Sequence, residues 1–86
     1  MTEAEIYAIL QDIVAGELDA GPVSLAPDTV LDDLRGWDSV ALAGVVVAIE
    51  ARFGNPITRA ELGDIRRAED LALLVRARAR PAGIAG

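Results

Sequence analysis

Ser39 stands in the run Gly36-Trp37-Asp38-Ser39-Val40, a hydroxyl directly after a carboxylate where a long connection gives way to an apolar segment. Serine does chemistry in two ways: as a nucleophile that histidine activates, or as an acceptor that another enzyme modifies. The first is excluded, because the chain has no histidine and a Ser-His-Asp relay would lack its base. Cysteine is also absent, so there is no thiol nucleophile, no thiolate metal site and no disulfide framework. Fourteen carboxylates make chance pairs inevitable. The pair Asp32-Asp33 has no other type of donor nearby, and it reads as a solvated loop rather than a metal site. No glycine-rich phosphate loop is present. The sequence therefore predicts no catalytic residue and no metal ligand, and it leaves Ser39 as the one position where chemistry is expected.

The elements that would hold Ser39 are helices. Ile6, Ile9, Leu10, Ile13 and Val14 recur at helical spacing, Thr2 and Glu5 have capping-box spacing, and Gly16 marks a stop. A connection from about Glu17 to Trp37 contains Gly21, Pro22, Pro27 and Gly36. A loop of that length must be pinned, and Leu25, Val30, Leu31 and Leu34 are available for it. The next helix is predicted over Ser39–Phe53, with Asp38 as N-cap, an inward stripe of Leu42, Val46, Ile49 and Phe53 with Val45 beside it, and a stop at Gly54-Asn55-Pro56. Thr58 and Glu61 repeat the capping-box spacing for a short helix ending near Gly63. A last helix is predicted over Ala68–Arg80, with Leu71, Leu74 and Val75 inward, and Glu69, Asp70 and Arg76, Arg78, Arg80 matched to the dipole at its two ends. The alternation of Arg with Ala near the end reads as a solvated face. The expected fold is all-α: a small four-helix bundle of three longer helices and one short one, with a long loop between helices 1 and 2. Residues 1–80 are expected to form one domain and 81–86 a flexible tail.

Composition limits what this bundle can do. With 86 residues it buries only ~60–65% of its unfolded surface, so an ordinary enzyme cleft would consume much of the core. Residues 1–50 hold ten acids and one base, Arg35, for −9, while residues 51–86 hold four acids and seven bases, for +3, and the total is −6. An acidic front half argues against nucleic acid and suits basic protein partners. No basic secretory start precedes Thr2, Glu3 and Glu5, and the uncharged run from Val40 to Ile49 is too short to span a bilayer. A cytoplasmic monomer without membrane insertion is expected.

The Asp-Ser pair has a wider frame. Leu31-Asp32-Asp33-Leu34 precedes it. Ile49-Glu50-Ala51-Arg52-Phe53-Gly54 closes its helix, and Ile57-Thr58-Arg59-Ala60-Glu61-Leu62, Asp64-Ile65 and Asp70-Leu71 follow. This arrangement resembles the acyl carrier protein family, including polyketide and peptidyl carriers, over nearly the whole chain. The resemblance implies that Ser39 carries a 4′-phosphopantetheine arm and that Asp38 assists the modifying transferase and its Mg²⁺. The implied partners are a phosphopantetheinyl transferase and acyl-loading and acyl-processing enzymes. The departures are Val40 where Leu is usual, Gly36-Trp37 before the pair, and Arg67 where a Thr commonly caps the last helix. Val40 is a conservative change, Gly36-Trp37 suggests a specialised, polyketide-like or lipid-modifying pathway, and Arg67 implies a less well ordered start to the last helix. A peptidyl or aminoacyl carrier, or a helical interaction module without an arm, stays open. Family members are read through the helix after the serine, so Trp37, Val40, Gly44, Val47 and Glu50 are the expected partner-binding residues. Gly44 is expected to admit a partner's backbone, with Val40 and Val47 as apolar anchors; the alternative is that the long loop buries this helix on more sides.

Overall fold

The computed structural model describes residues 1–19 and 21–78. The tail expected at 81–86, and Arg80, lie outside the described residues. Among the described residues four helices follow one another: α1 (Glu3–Leu18), α2 (Ser39–Phe53), α3 (Arg59–Gly63) and α4 (Ala68–Arg78), with a 3-10 turn at Leu31–Asp33 in the first connection. The all-α bundle of three longer helices and one short helix is thus observed. In the described residues the extended pairing is a single bridge between Val30 and Arg67.

Local signals set most of the helix ends. Thr2 and Glu5 close a capping box on α1, and Thr58 and Glu61 close one on α3. Each satisfies first-turn N–H groups that the helix itself cannot. Gly16 does not end α1. The helix continues to Leu18, and Asp19 takes the left-handed conformation at φ 50° as its C-cap. Leu18 supplies a reason: it is half-buried against the core, and stopping at Gly16 would have released it.

The core is a cluster of aliphatic side chains shared by α1, α2, α4 and the loop, in which Ile6, Leu10, Val14, Leu31, Val45, Ile49, Leu71 and Val75 are almost wholly buried. Burying each stabilises the fold by about 1.5–3 kcal/mol before entropy is counted. α2 is rotated from its expected phase. Ala41, Val45, Val46 and Ile49 are buried, whereas Leu42 and Phe53 are only half-buried. The loop is pinned as expected by buried Leu25 and Leu31, with Val30 and Leu34 half-buried. Its backbone is also tied: Leu25 N–H donates to Gln11 Oε1 at 3.0 Å, and Leu31 N–H donates to the Arg66 carbonyl at 3.0 Å.

The start of α4 lacks the usual threonine and is nevertheless ordered. Ala68 N–H donates to the Thr29 carbonyl at 2.9 Å and Glu69 N–H to the Pro27 carbonyl at 3.0 Å, so the long loop caps the helix. Asp70 Oδ2 accepts from Arg66 and Arg67 N–H at 2.9 and 2.8 Å. At the other end the arginines are not one solvated face. Arg76 is half-exposed and pairs with Glu3. The Arg78 side chain is 7% exposed, and its fork donates to the carbonyls of Asn55 at 3.2 Å and Pro56 at 2.8 Å and to Glu61 Oε1 at 3.0 Å. α3 buries no side chain completely: half-buried Leu62 packs against the core, and the Arg78 fork fastens Glu61 and the connection that precedes α3.

Candidate functional site

The turn that presents Ser39 is built from backbone geometry. Trp37 N–H donates to the Leu34 carbonyl at 3.0 Å, and Gly36 lies between them at φ +87°, a conformation in which a Cβ would be strained. The chain then extends through Asp38, at φ −153° and ψ −173°, whose Oδ1 accepts from Ala41 N–H at 2.8 Å. Asp38 is the N-cap that the sequence predicts. It fixes the entry of the chain into α2, and Ser39 is the first residue of that helix and exposed.

A phosphate ester fits this position. The first N–H groups of α2, those of Ser39 and Val40, lie outside the intrahelical ladder at the positive end of the helix dipole, which favours an anion there. Among the described residues no three His, Cys, Asp or Glu side chains gather as metal ligands.

The five residues expected to meet partners have different surroundings. Val40 and Val47 are 78% and 61% exposed. Trp37 is half-buried and packed against the core. Glu50 is half-buried, and its Oε2 accepts from Ile57 N–H at 2.7 Å, holding the connection between α2 and α3. Gly44 is half-buried, and the group over it belongs to the chain itself: the Glu17 carboxylate occupies the space that a Cβ would fill. Ala41, one residue beyond Val40, is in the core. Sequence spacing gave no sign of Glu17, because nothing local relates it to α2.

An exposed serine thus stands at a capped helix N-terminus, reached through a pinned loop in an aliphatic bundle. Residues 8–75 match the phosphopantetheine attachment site family. Over 77 residues, 90% of this chain and 82% of the relative, the sequence is 38% identical to Acyl carrier protein MbtL of Mycolicibacterium paratuberculosis (strain ATCC BAA-968 / K-10). The fold matches the solution NMR structure of the holo acyl carrier protein from Geobacter metallireducens with a TM-score of 0.78 at 24% identity, covering 86% of this chain and 85% of that one. The chain belongs to the acyl carrier protein family. It carries acyl groups on a phosphopantetheine prosthetic group. No helix among the described residues is long and apolar enough to cross a membrane.

Proposed function

We propose that Ser39 Oγ is the attachment atom of the 4′-phosphopantetheine arm. A phosphopantetheinyl transferase loads it, and acyl-loading and acyl-processing enzymes of a specialised pathway then act on the cargo. The observation that carries this reading is the exposure of Ser39 at the first position of α2, directly after its N-cap. When bound, the arm supplies the thiol that forms the thioester. The chain contributes position and charge: α2 offers its N-terminal N–H groups to the phosphate oxygens, and Asp38 holds the turn. The cap uses Asp38 Oδ1, and Oδ2 is the oxygen that remains for the Mg²⁺ of a transferase.

The chain acts as a cytoplasmic monomer and not as an enzyme. The absence of histidine and cysteine supports the second point, since no side chain of its own is well suited to attack the thioester. The test is intact mass after incubation with coenzyme A and a broad-range transferase. The protein should gain one phosphopantetheine, and Ser39→Ala should gain none while keeping its melting temperature, because Asp38 still caps. A modified Ser39→Ala protein would place the attachment elsewhere. The same measurement on protein from the native host reads the cargo and separates acyl from peptidyl or aminoacyl groups.

A further inference from the structure

Within its own sequence, α2 has one acid, Glu50, and that carboxylate is held by Ile57 N–H. The structure brings another carboxylate to the helix from α1. A Leu18 methyl lies 3.6 Å from where a Cβ of Gly36 would be, which seats the end of α1 against the turn that leads to Ser39. One residue earlier, the Glu17 carboxylate lies across Gly44, in space that any larger residue at position 44 would occupy. Glu17 is exposed, and so are Val40 and Val47, one helical turn to either side of Gly44.

The distance from the modified serine matters. Gly44 is five residues beyond Ser39, about 7.5 Å along the axis of α2. An enzyme that acts on Ser39 through an interface of standard size covers ~800 Å² of this chain, a disc of about 16 Å radius. The Glu17 carboxylate lies over Gly44, about a turn and a half along α2 from the serine. The excess of acids in residues 1–50 also favours an enzyme that presents positive charge.

We propose that Glu17, laid across Gly44, is a recognition residue for the enzymes that act at Ser39. Its partner is an arginine or lysine side chain of the enzyme, flanked by apolar groups that cover Val40 and Val47. A Cβ at position 44 would displace this carboxylate. The inference rests on Ser39 as the attachment residue, and the experiment separates the two.

The probe is a broad-range phosphopantetheinyl transferase with coenzyme A, acting on the wild-type chain, Glu17→Gln, Gly44→Ala and the double variant. Glu17→Gln should raise the KM for the carrier about three- to fivefold, the scale of one exposed ion pair, with kcat and Tm unchanged. It should also make KM less sensitive to salt. Gly44→Ala should raise KM similarly by displacing the carboxylate, with Tm equal or higher because alanine favours helix. The double variant should be no worse than Glu17→Gln, since Gly44 acts only through Glu17. An unchanged KM in Glu17→Gln overturns the inference and leaves Ser39 as the attachment residue. Additive effects in the double variant overturn it too, and assign Gly44 to direct approach by the enzyme. A wild-type chain that accepts no arm overturns the attachment reading together with this one.

Discussion

Replacing Arg78 with alanine tests how much its guanidinium, beside the packing of Leu62, holds α3 and the connection before it. The change removes a guanidinium that is nearly buried and donates to the carbonyls of Asn55 and Pro56 and to Glu61. A hydrogen bond from a charged donor contributes about 1.5–3 kcal/mol when its partners are shielded. In the variant, water will reach both carbonyls, which puts these two bonds together near about 2 kcal/mol. The Glu61 side chain is 36% exposed, and its ion pair adds less than about 1 kcal/mol. The expected cost is therefore about 2–3 kcal/mol, a fall in Tm of about 10–20 °C for a domain of this size. Thermal unfolding by circular dichroism reads the total. Amide exchange at Ile57 and Leu62 should accelerate more than at Val45, because the loosened segment is Asn55–Gly63. Arg78→Lys keeps the charge and the stem but not the fork, and should recover less than half of the loss. A fall in Tm under about 4 °C in Arg78→Ala, or full recovery by lysine, would refute the fastening.

Two further outcomes follow from single side chains. The Asp70 carboxyl is held below its usual range by the N–H of Arg67, then that of Arg66, so the stability it gives is complete above the ordinary aspartate pKa of about 3.9 and is lost as pH falls through the lowered value. Asp70→Asn should melt earlier than wild type near neutrality and converge on it in acid, and melting curves recorded down the acid range would refute this if the gap stayed constant. The Tyr7 hydroxyl is buried with no hydrogen-bond partner among the described residues, and burial raises its pKa. Tyr7→Phe should therefore leave Tm unchanged or raise it, and a fall of more than about 4 °C would show that the hydroxyl has a partner in the folded chain.

What could be read from the sequence was mostly what is decided within one helical turn. Asp38 over Ala41, Thr58 with Glu61 and Thr2 with Glu5 are contacts three residues apart, and the helices they open begin where their spacing predicts. Ser39 at the head of α2 belongs to the same class of signal. The end of α1 does not, because Leu18 reaches the core only through residues far along the chain. The buried face of α2 differs from the predicted stripe because that helix is apolar around most of its circumference, and a small residue such as Ala41 carries little weight in a stripe while fitting well in a close contact. Arg78, Glu50 and Glu17 share one cause. Their partners are Asn55 and Pro56, Ile57, and the surface of Gly44, which lie 22–23, 7 and 27 residues away. A charged side chain in a sequence does not announce which backbone it will meet.

The carbonyls of Pro27 and Thr29 at the head of α4 tie the end of the chain to its middle over about forty residues. A helix of eleven residues is marginal alone, since nucleation is costly and isolated helices shorter than ~12–15 residues rarely persist. α4 thus cannot complete its first turn until the long loop has closed on it. Such long-range pairing slows folding relative to a bundle of local hairpins. The dependence runs both ways: the loop that delivers Ser39 has its own backbone ordered by α4, so a truncation within α4 would be felt at the serine turn, although α4 contributes no residue to it.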